Sequence, residues 1–323
     1  MLGLLRCAAL AMGAVLACML PGLAAGAATP TWQSVQYRTV EVDGVGIFYR
    51  EAGDPNRPAV LLLHGYPTSS HMFRDLIPRL AGRYHVVAPD FPGFGFSAQP
   101  DRAQFKYTFD NLGKVMGRFT ETIGLNDYAL YVFDYSAPIG FRMALAHPER
   151  IAAIISQNGN VYAEGLSPAL LNRLRPVWAD PTEANRNSLR PGFSLAGNMQ
   201  RYFAGVPESD KALISPDTFT LDNVFLTRPG NDEIQLDLLV DYKSNIELYP
   251  QFQEYLRKNR PPLLAIWGKN DPTFIPAGAE AFKHDVPDAE VHLLDAGHFA
   301  LETRGAEIGD AMLRFLREHL RAR

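Results

Sequence analysis

Short, uninterrupted apolar runs constrain the fold of this chain more than any other sequence feature. Three of them lie in its first half, AVLLLHG at 59–65, HVVAPD at 85–90 and ALYVFD at 129–134. A strand that is apolar at every position, instead of at alternate positions, is covered on both faces, as in the centre of a parallel sheet. Segments with helical spacing separate these runs, at 70–80 and 109–123. Strands that alternate with helices predict an α/β fold with a mostly parallel sheet flanked by helices.

The same alternation frames the rest of the chain. Before the apolar runs, two predicted strands flank the dipeptide Asp43-Gly44, which supplies the positive φ angles of a tight hairpin turn. Late in the chain, LLAIWG at 263–268 and EVHLLD at 290–295 predict two further strands, and a helix is expected over 306–320.

Residues 161–250, which we call the cap segment, break this alternation. The segment has helical instead of strand-like runs. Prolines punctuate it at Pro168, Pro176, Pro181, Pro191, Pro207 and Pro216. We interpret it as a helical cap inserted into an α/β core made of residues 28–160 and 251–323. The alternative is an elaborated loop region without a closed lid.

The start of the chain predicts a signal peptide over residues 1–27. Arg6 gives a positive start, an apolar run follows from Cys7, and the small residues at 25–27 match an A-x-A cleavage site. Proline and glycine interrupt the run, unlike a retained membrane-spanning helix, which is the alternative. We therefore expect an exported protein, periplasmic or secreted. Because Cys7 and Cys18 both lie in the removed segment, the mature chain would have no disulfide and no cysteine metal site.

Composition and charge argue against several classes of function. The chain is 47% hydrophobic and 20% charged, which is ordinary for a globular protein. Its formal net charge of −4 argues against a nucleic-acid-binding surface. GFG at 93–95 lacks the rest of a G-x-G-x-x-G phosphate motif, and the sequence contains no constellation of metal ligands. We therefore expect no nucleotide, no metal and no other cofactor.

The stretch YVFDYSAPIGFR at 131–142 is the candidate turn for a catalytic nucleophile. Nucleophilic catalysis on a parallel sheet needs a reactive side chain on a sharp strand-to-helix turn with small neighbours. Asp134 occupies this turn, and Gly140 allows the next helix to pack closely on the sheet. Ser136 is the alternative nucleophile, but Pro138 would then fix φ at about −65° where an unusual backbone angle is needed. A third interpretation is an aspartate that only caps the following helix.

Several stretches resemble haloalkane dehalogenases and epoxide hydrolases of the α/β-hydrolase superfamily. They are HGYPTSSHMFRDLIPRL at 64–80, APDFPGFGFSAQPD at 88–101 and VFDYSAPIGFRMALAHPERI at 132–151. The resemblance covers nearly all of the predicted core and implies an α/β-hydrolase fold. In that family the HG-x-P turn and the residue after the nucleophile supply backbone N–H groups to an oxyanion hole, which here implies Tyr66 and Tyr135.

His298 and Asp271 are the expected partners of Asp134. His298 lies in AGHFALE, after the last predicted strand, where the chain order nucleophile, acid, histidine puts the base. Asp271 directly follows LLAIWG, a position that resembles the family's acid site. Some dehalogenases take the acid from the end of the preceding strand, but here that stretch has Asn158 and Asn160 and no carboxylate.

These residue types indicate hydrolysis through an alkyl-enzyme ester. The Asp134 carboxylate would attack a carbon that bears a leaving group, and His298 would then activate the water that cleaves the ester. Asp271 would orient and stabilise the imidazolium. The expected substrate is a small apolar electrophile that reacts with water.

The leaving group separates the two resembling families. Dehalogenases resemble one another in donating hydrogen bonds to the halide from a tryptophan after the nucleophile and from a second Asn or Trp. This sequence has Tyr135 and Tyr66 at those positions, and Trp178 is the alternative donor. Epoxide hydrolases use two cap tyrosines, and the resembling segments RYFAGVPE and DYKSNIELY imply Tyr202 and Tyr242.

We therefore expect hydrolysis of an epoxide to a diol, with haloalkane dehalogenation as the alternative. An esterase that uses Ser136 is a more distant alternative. So is a non-catalytic hydrolase-fold protein that binds a small molecule, although such a binder has no need to keep a nucleophile, a base and an acid together.

Overall fold

One eight-stranded sheet organises residues 34–320, the part of the chain that the computed structural model describes. Its strands are β1 (Gln36–Val42), β2 (Val45–Ala52), β3 (Ala59–Leu62), β4 (His85–Pro89), β5 (Tyr128–Phe133), β6 (Ile151–Gln157), β7 (Leu263–Gly268) and β8 (Glu290–Leu294). Their order is β1-β2-β4-β3-β5-β6-β7-β8. The pairs β1-β2 and β2-β4 are antiparallel, and all other neighbours are parallel. This confirms the predicted α/β class. The predicted signal peptide lies outside the described residues.

Helices cover the sheet and fill the long insertion after β6. Those that the structure describes are α1 (Leu76–Ala81), α2 (Phe109–Thr122), α3 (Ser136–Ala146), α4 (Pro168–Ala179), α5 (Glu183–Asn187), α6 (Leu195–Phe203), α7 (Pro216–Leu226), α8 (Asn231–Asn259), α9 (Ala277–Asp285) and α10 (Ala300–His319). None of the helices between residues 34 and 320 is both long and apolar enough to cross a membrane.

Side chains of the central strands alternate between two apolar layers. Along β5, Leu130 and Val132 pack into one layer, with residues of α2, α3, α8 and α9. Tyr131 and Phe133 point to the other face and pack with residues of α1 and α10. Every residue of β3, β4 and β5 is buried, so the uninterrupted apolar runs correspond to strands covered on both faces, as predicted.

The predicted hairpin is confirmed, whereas two helix boundaries are wrong. Asp43 and Gly44 have φ angles of 50° and 82° and join paired strands β1 and β2. The helix expected over 70–80 is divided into a 3₁₀ turn at Ser70–Phe73 and α1. The side chains of Ser69 and Asp90 accept backbone N–H groups in that first turn and hold it tight.

The C-terminal helix begins at Ala300 instead of at 306. Arg304 has non-helical angles, φ −130° and ψ 23°, inside α10. Because this kink interrupts the helical phase, the apolar spacing of the sequence is continuous only beyond it.

The cap segment holds α4 to α7 and most of α8, and no strand lies between residues 161 and 250, all of which the structure describes. Pro168 and Pro216 are the first residues of α4 and α7. At this position the helix makes no hydrogen bond through the backbone N–H, so the missing N–H of proline costs nothing. Helix α8 continues through Pro250 to Asn259. The division of the chain into a core and a cap stays a prediction.

Candidate active site

Asp134 lies at the sharp turn between β5 and α3. Its φ angle is 49°, in the left-handed region that residues other than glycine rarely adopt. Two glycines make room for this turn. A Cβ atom at Gly65 would lie 2.5 Å from the Asp134 Cβ, and one at Gly140 would lie 2.7 Å from Val132 Cγ1. The close packing of α3 on β5 that Gly140 was expected to permit is therefore confirmed.

Two backbone N–H groups hold the Asp134 carboxylate. The N–H of Tyr66 donates to Asp134 Oδ1 over 2.8 Å, and the N–H of Tyr135 hydrogen-bonds the same carboxylate. These are the two groups that the sequence predicts as an oxyanion hole. If Asp134 carried an ester, Oδ1 would be the carbonyl oxygen that becomes negative when water attacks, and the N–H of Tyr66 already donates to it.

His298 lies between the two predicted carboxylates. Its Nδ1 is 2.6 Å from Asp271 Oδ2, and its Nε2 is 3.7 Å from Asp134 Oδ2. His298 is in the loop between β8 and α10, and Asp271 is in the loop after β7. The structure therefore brings together the nucleophile, base and acid candidates, although they are far apart along the chain.

Asp271 is held by more donors than the sequence suggests. Its Oδ1 accepts the backbone N–H groups of Thr273 (2.7 Å) and Phe274 (3.2 Å), and its Oδ2 accepts the side-chain amide of Asn158 over 2.7 Å. Four hydrogen bonds, including the one from His298, fix its position and support its negative charge.

Asn158 is a positioning residue that the sequence analysis considered only as a missing carboxylate. It follows β6 with a φ angle of 47°, and its Oδ1 accepts the backbone N–H of Gly268 at the end of β7. The sequence signal for this role was a polar residue directly after a buried strand. Its partner could not be identified from the sequence, because β6 and β7 are adjacent in the sheet but more than a hundred residues apart along the chain.

Burial and charge shift the proton affinities of the reacting pair. Burial raises the pKa of Asp134 to about 6, against the opposing effects of His298 and of the two backbone N–H groups. Burial alone would lower the pKa of His298, but the charges of Asp271 and Asp134 outweigh it and raise the pKa above its ordinary value. The pair can therefore hold and transfer protons near neutral pH.

Ser136 is turned away from this site. Its hydroxyl accepts the N–H of Phe133 over 2.6 Å and lies 2.8 Å from the carbonyl oxygens of Leu63 and Phe133. The residue is fully buried and does not line the cavity described next. These contacts give Ser136 a structural role at the start of α3 and leave the esterase alternative without a nucleophile facing the cavity.

A cavity of about 540 Å³ opens from Asp134 and His298 towards the helices of the cap segment. Apolar side chains form much of its wall, among them Leu170, Leu174 and Phe193. A site of this size and character suits a small organic substrate and keeps bulk water from the carboxylate.

Tyr242, one of the two predicted cap tyrosines, lines this cavity from α8. Its buried hydroxyl lies beside that of Tyr249 but makes no hydrogen bond of good geometry within residues 34–320. Tyr66 also lines the cavity, and its hydroxyl is buried without a partner among the described residues. The sequence indicated a catalytic role only for the backbone N–H of Tyr66, and this phenol was not identified as a donor.

Tyr202, the other predicted cap tyrosine, does not reach the cavity, and the expectation that it contacts the substrate is corrected. Its hydroxyl donates to Asp222 Oδ2 over 2.6 Å, and its ring stacks on Phe299 at 3.9 Å. The physical reason is helical geometry. The residues of α6 that face the cavity share one side of the helix, and Tyr202 lies about 100° from its neighbour on that side. These cavity-facing residues are Gly197, Gln200, Arg201 and Ala204.

Neither tryptophan in the described residues offers its indole N–H to the cavity. Trp178 donates to the carbonyl of Leu239 over 2.9 Å, and Trp267 donates to that of Phe274 over 2.7 Å. The alternative halide donor at Trp178 is therefore already engaged with the backbone.

Two cavity residues were absent from the sequence-based candidates. Arg173 on α4 and Arg201 on α6 both line the cavity. Arg201 stands next to Tyr202 in the stretch that resembles epoxide hydrolases, and the spacing of positions 197, 200, 201 and 204 was the signal that could have identified it.

Comparison with known proteins identifies the fold family of this chain. The family model described as alpha/beta hydrolase fold matches residues 58–305. An uncharacterized hydrolase of Saccharomyces cerevisiae is 44% identical over 86% of this chain and 95% of its own length. Haloalkane dehalogenase 1 of Mycobacterium bovis is 30% identical over 79% of this chain and 83% of its own. The solved structure of the epoxide hydrolase CorEH shares the fold, with a TM-score of 0.71 and 17% identity over 88% of this chain and 99% of its own.

Proposed function

The chain belongs to the α/β-hydrolase fold family. From this premise, we propose that it hydrolyses epoxides to diols through an alkyl ester on Asp134. Asp134 Oδ2, the oxygen on the side of His298, attacks a ring carbon. The new carbon–oxygen bond forms as the ring carbon–oxygen bond breaks, and the departing oxygen takes a proton from a phenol. Tyr242 is the proposed donor, with Tyr66 as the second.

Two phenols of the cavity wall carry this proposal over its alternatives. Tyr242 and Tyr66 line the same cavity as Asp134, and their buried hydroxyls have no good partner within the described residues. Burial raises the pKa of Tyr66 to about 12 and that of Tyr242 well above its ordinary value. Both phenols are therefore neutral donors at physiological pH, suited to an alkoxide, which takes up a proton.

Hydrolysis of the ester returns Asp134 to its starting state. His298 removes a proton from a water molecule, and Asp271 stabilises the imidazolium that forms. The water oxygen attacks the ester carbonyl carbon, and negative charge develops on Oδ1, to which the N–H of Tyr66 donates. The bond between this carbon and Oδ2 then breaks, and the diol leaves with Oδ2 and takes the proton of the His298 imidazolium. The carboxylic acid formed on Asp134 returns a proton to the phenolate, which restores the starting state. Removing one such donor typically costs about 3 kcal/mol of transition-state stabilisation.

Haloalkane dehalogenation is the second candidate, because a dehalogenase is 30% identical over most of the chain. A halide leaves without a proton and needs only hydrogen-bond donors, which the two phenols could supply. The engaged indole N–H groups of Trp178 and Trp267 favour the epoxide.

Intact-mass measurement on a His298→Gln variant tests the proposal. Without the base, the ester on Asp134 should accumulate during a brief incubation with panels of epoxides and haloalkanes. An added mass equal to the whole epoxide supports epoxide opening, whereas one equal to the haloalkane without its halide would make the protein a dehalogenase. The double variant Asp134→Asn, His298→Gln is the matched control and should form neither adduct. Absence of any adduct would contradict the aspartate mechanism and favour a binding role.

We also propose that the protein is exported, on the strength of the predicted signal peptide at residues 1–27. N-terminal sequencing of the protein from its natural host tests this. A mature chain that begins at Ala28 supports export, and a chain that begins at Met1 would contradict it.

A further inference from the structure

Two arginines interrupt the otherwise largely apolar cavity wall, and their guanidinium groups converge. A Cβ atom at Gly192 would lie 3.0 Å from Arg201 Nη2 and 3.9 Å from Arg173 Nη1, so both groups approach the same point. Arg173 comes from α4 and Arg201 from α6, so two separate helices place positive charge at one end of the cavity.

Among residues 34–320, no acidic side chain neutralises this arginine pair. Neither residue forms an ion pair with a carboxylate within residues 34–320. Arg201 Nη1 donates to two neutral oxygens, the carbonyl of Gly192 (2.5 Å) and Asn198 Oδ1 (3.2 Å). Arg173 donates no hydrogen bond to another described residue. Its side chain is solvent-exposed, which puts it at the mouth of the cavity.

Two other arginines of the same segment, Arg186 and Arg190, do pair with acids. Arg186 contacts Glu233 at 3.0 Å and Asp237 at 2.9 Å. Arg190 pairs with Asp232 and Glu233. Acids of the cap segment are thus available to arginines, but neither cavity arginine pairs with one among residues 34–320.

Mutual repulsion adds to the cost of this arrangement. Partial desolvation of its guanidinium by the surrounding protein lowers the pKa of Arg173, and the charge of Arg201 lowers it further, although Arg173 stays protonated at physiological pH. Arg201 is held in place by its contact with the face of the Tyr66 ring, 5.0 Å from its centre. Tyr66 also donates its backbone N–H to Asp134, so this one residue lies between Arg201 and the reacting carboxylate.

We infer that the substrate is an epoxide that carries a carboxylate group, which Arg173 and Arg201 bind at the cavity mouth while the ring lies against Asp134. Guanidinium groups present paired donors that match the two oxygens of a carboxylate. The apolar wall formed by Leu170, Leu174 and Phe193 would contact the hydrocarbon between the two ends. This inference rests on the proposed function and changes the expectation of a wholly apolar substrate.

A matched substrate pair tests the inference. An epoxide carboxylic acid and the corresponding primary amide have nearly the same shape and differ in charge. The wild-type enzyme should have the higher kcat/KM for the acid. Arg173→Gln should lower kcat/KM for the acid by about tenfold, as expected for loss of a charge-assisted hydrogen bond, and should lower it much less for the uncharged amide. Arg175→Gln, on the same helix but outside the cavity lining, is the control and should change neither.

Arg201→Gln provides an independent variant. Because Arg201 also donates to Gly192 and Asn198, its loss could disturb the cap segment. Retained turnover of the amide shows that the variant is folded, and a selective loss with the acid then supports the inference. Equal values for acid and amide in the wild type would overturn it.

Binding of an unreactive ligand separates this inference from the proposed function. Hexanoate and hexanamide are compared by calorimetry with the wild-type protein and with Arg173→Gln. The anion site is supported if the wild-type protein prefers hexanoate and if its affinity for hexanoate falls about tenfold in Arg173→Gln. This holds even if no epoxide is hydrolysed, in which case only the proposed function fails. If hexanoate binds no better than hexanamide while the epoxide amide is hydrolysed, the anion site is wrong and epoxide hydrolysis stands.

Discussion

Replacing Asp134 with asparagine should stabilise the folded protein at pH 8 while abolishing turnover. Burial holds the pKa of Asp134 at about 6 in the folded chain, compared with 3.8 for an ordinary aspartate. At about 1.4 kcal/mol for each pH unit between these values, the ionised carboxylate costs the folded state about 3 kcal/mol. Asparagine has the same shape and no charge, so the variant avoids this cost.

The gain should depend on pH in a defined direction. An acid whose pKa is raised by folding favours the folded state when protonated, and this contribution is lost as the pH rises through the folded pKa. The advantage of Asp134→Asn should therefore be about 3 kcal/mol at pH 8, about half of that at pH 5, and absent well below pH 4. In Asp134→Asn the side-chain oxygen can still accept the N–H of Tyr66, so little hydrogen bonding is lost.

Urea unfolding at pH 8 and pH 5, followed by circular dichroism, measures the effect. Asp271→Asn is the matched control. Asp271 accepts hydrogen bonds from Thr273, Phe274, Asn158 and His298, and loss of its charge should destabilise the protein by about 1–3 kcal/mol at either pH. If Asp134→Asn were no more stable than wild type at pH 8, or if its advantage did not shrink at pH 5, the account of Asp134 as a strained, buried charge would be wrong.

Four further outcomes follow from the site. Tyr242→Phe should lower kcat for epoxides about a hundredfold. Tyr202→Phe should keep kcat but lower Tm, because Asp222 loses its hydrogen bond. Steady-state kinetics and thermal melts distinguish the two variants. Asn158→Ala should lower kcat about tenfold with little change in KM, since it releases the acid that orients His298, and equal kinetics would contradict that role. Gly140→Ala should lower the free energy of unfolding by about 1–3 kcal/mol in urea, because its Cβ would overlap Val132. In single-turnover assays, the rate of ester formation should fall as the pH drops through about 6, where the nucleophile takes up a proton; a flat profile would contradict its assignment.

Features that depend on local backbone geometry and burial could be predicted from the sequence. The continuous apolar runs identified strands that are covered on both faces, and Asp43-Gly44 identified the hairpin turn. The small residues around Asp134 identified the strand-to-helix turn. Each of these signals lies within a few residues, because a buried strand or a turn with positive φ restricts the residue types at its own positions.

Tertiary structure decided which side chains meet in the cavity. Neighbouring positions on a helix point about 100° apart, so the helix carrying Arg201 and Tyr202 turns only the arginine to the cavity. Asn158 reaches Asp271 only because two distant segments become adjacent strands. The pairing of Arg173 with Arg201 depends on how two cap helices lie against each other. Side-chain direction and helix packing are set by contacts between segments that are far apart along the chain, and no local pattern of residues records them.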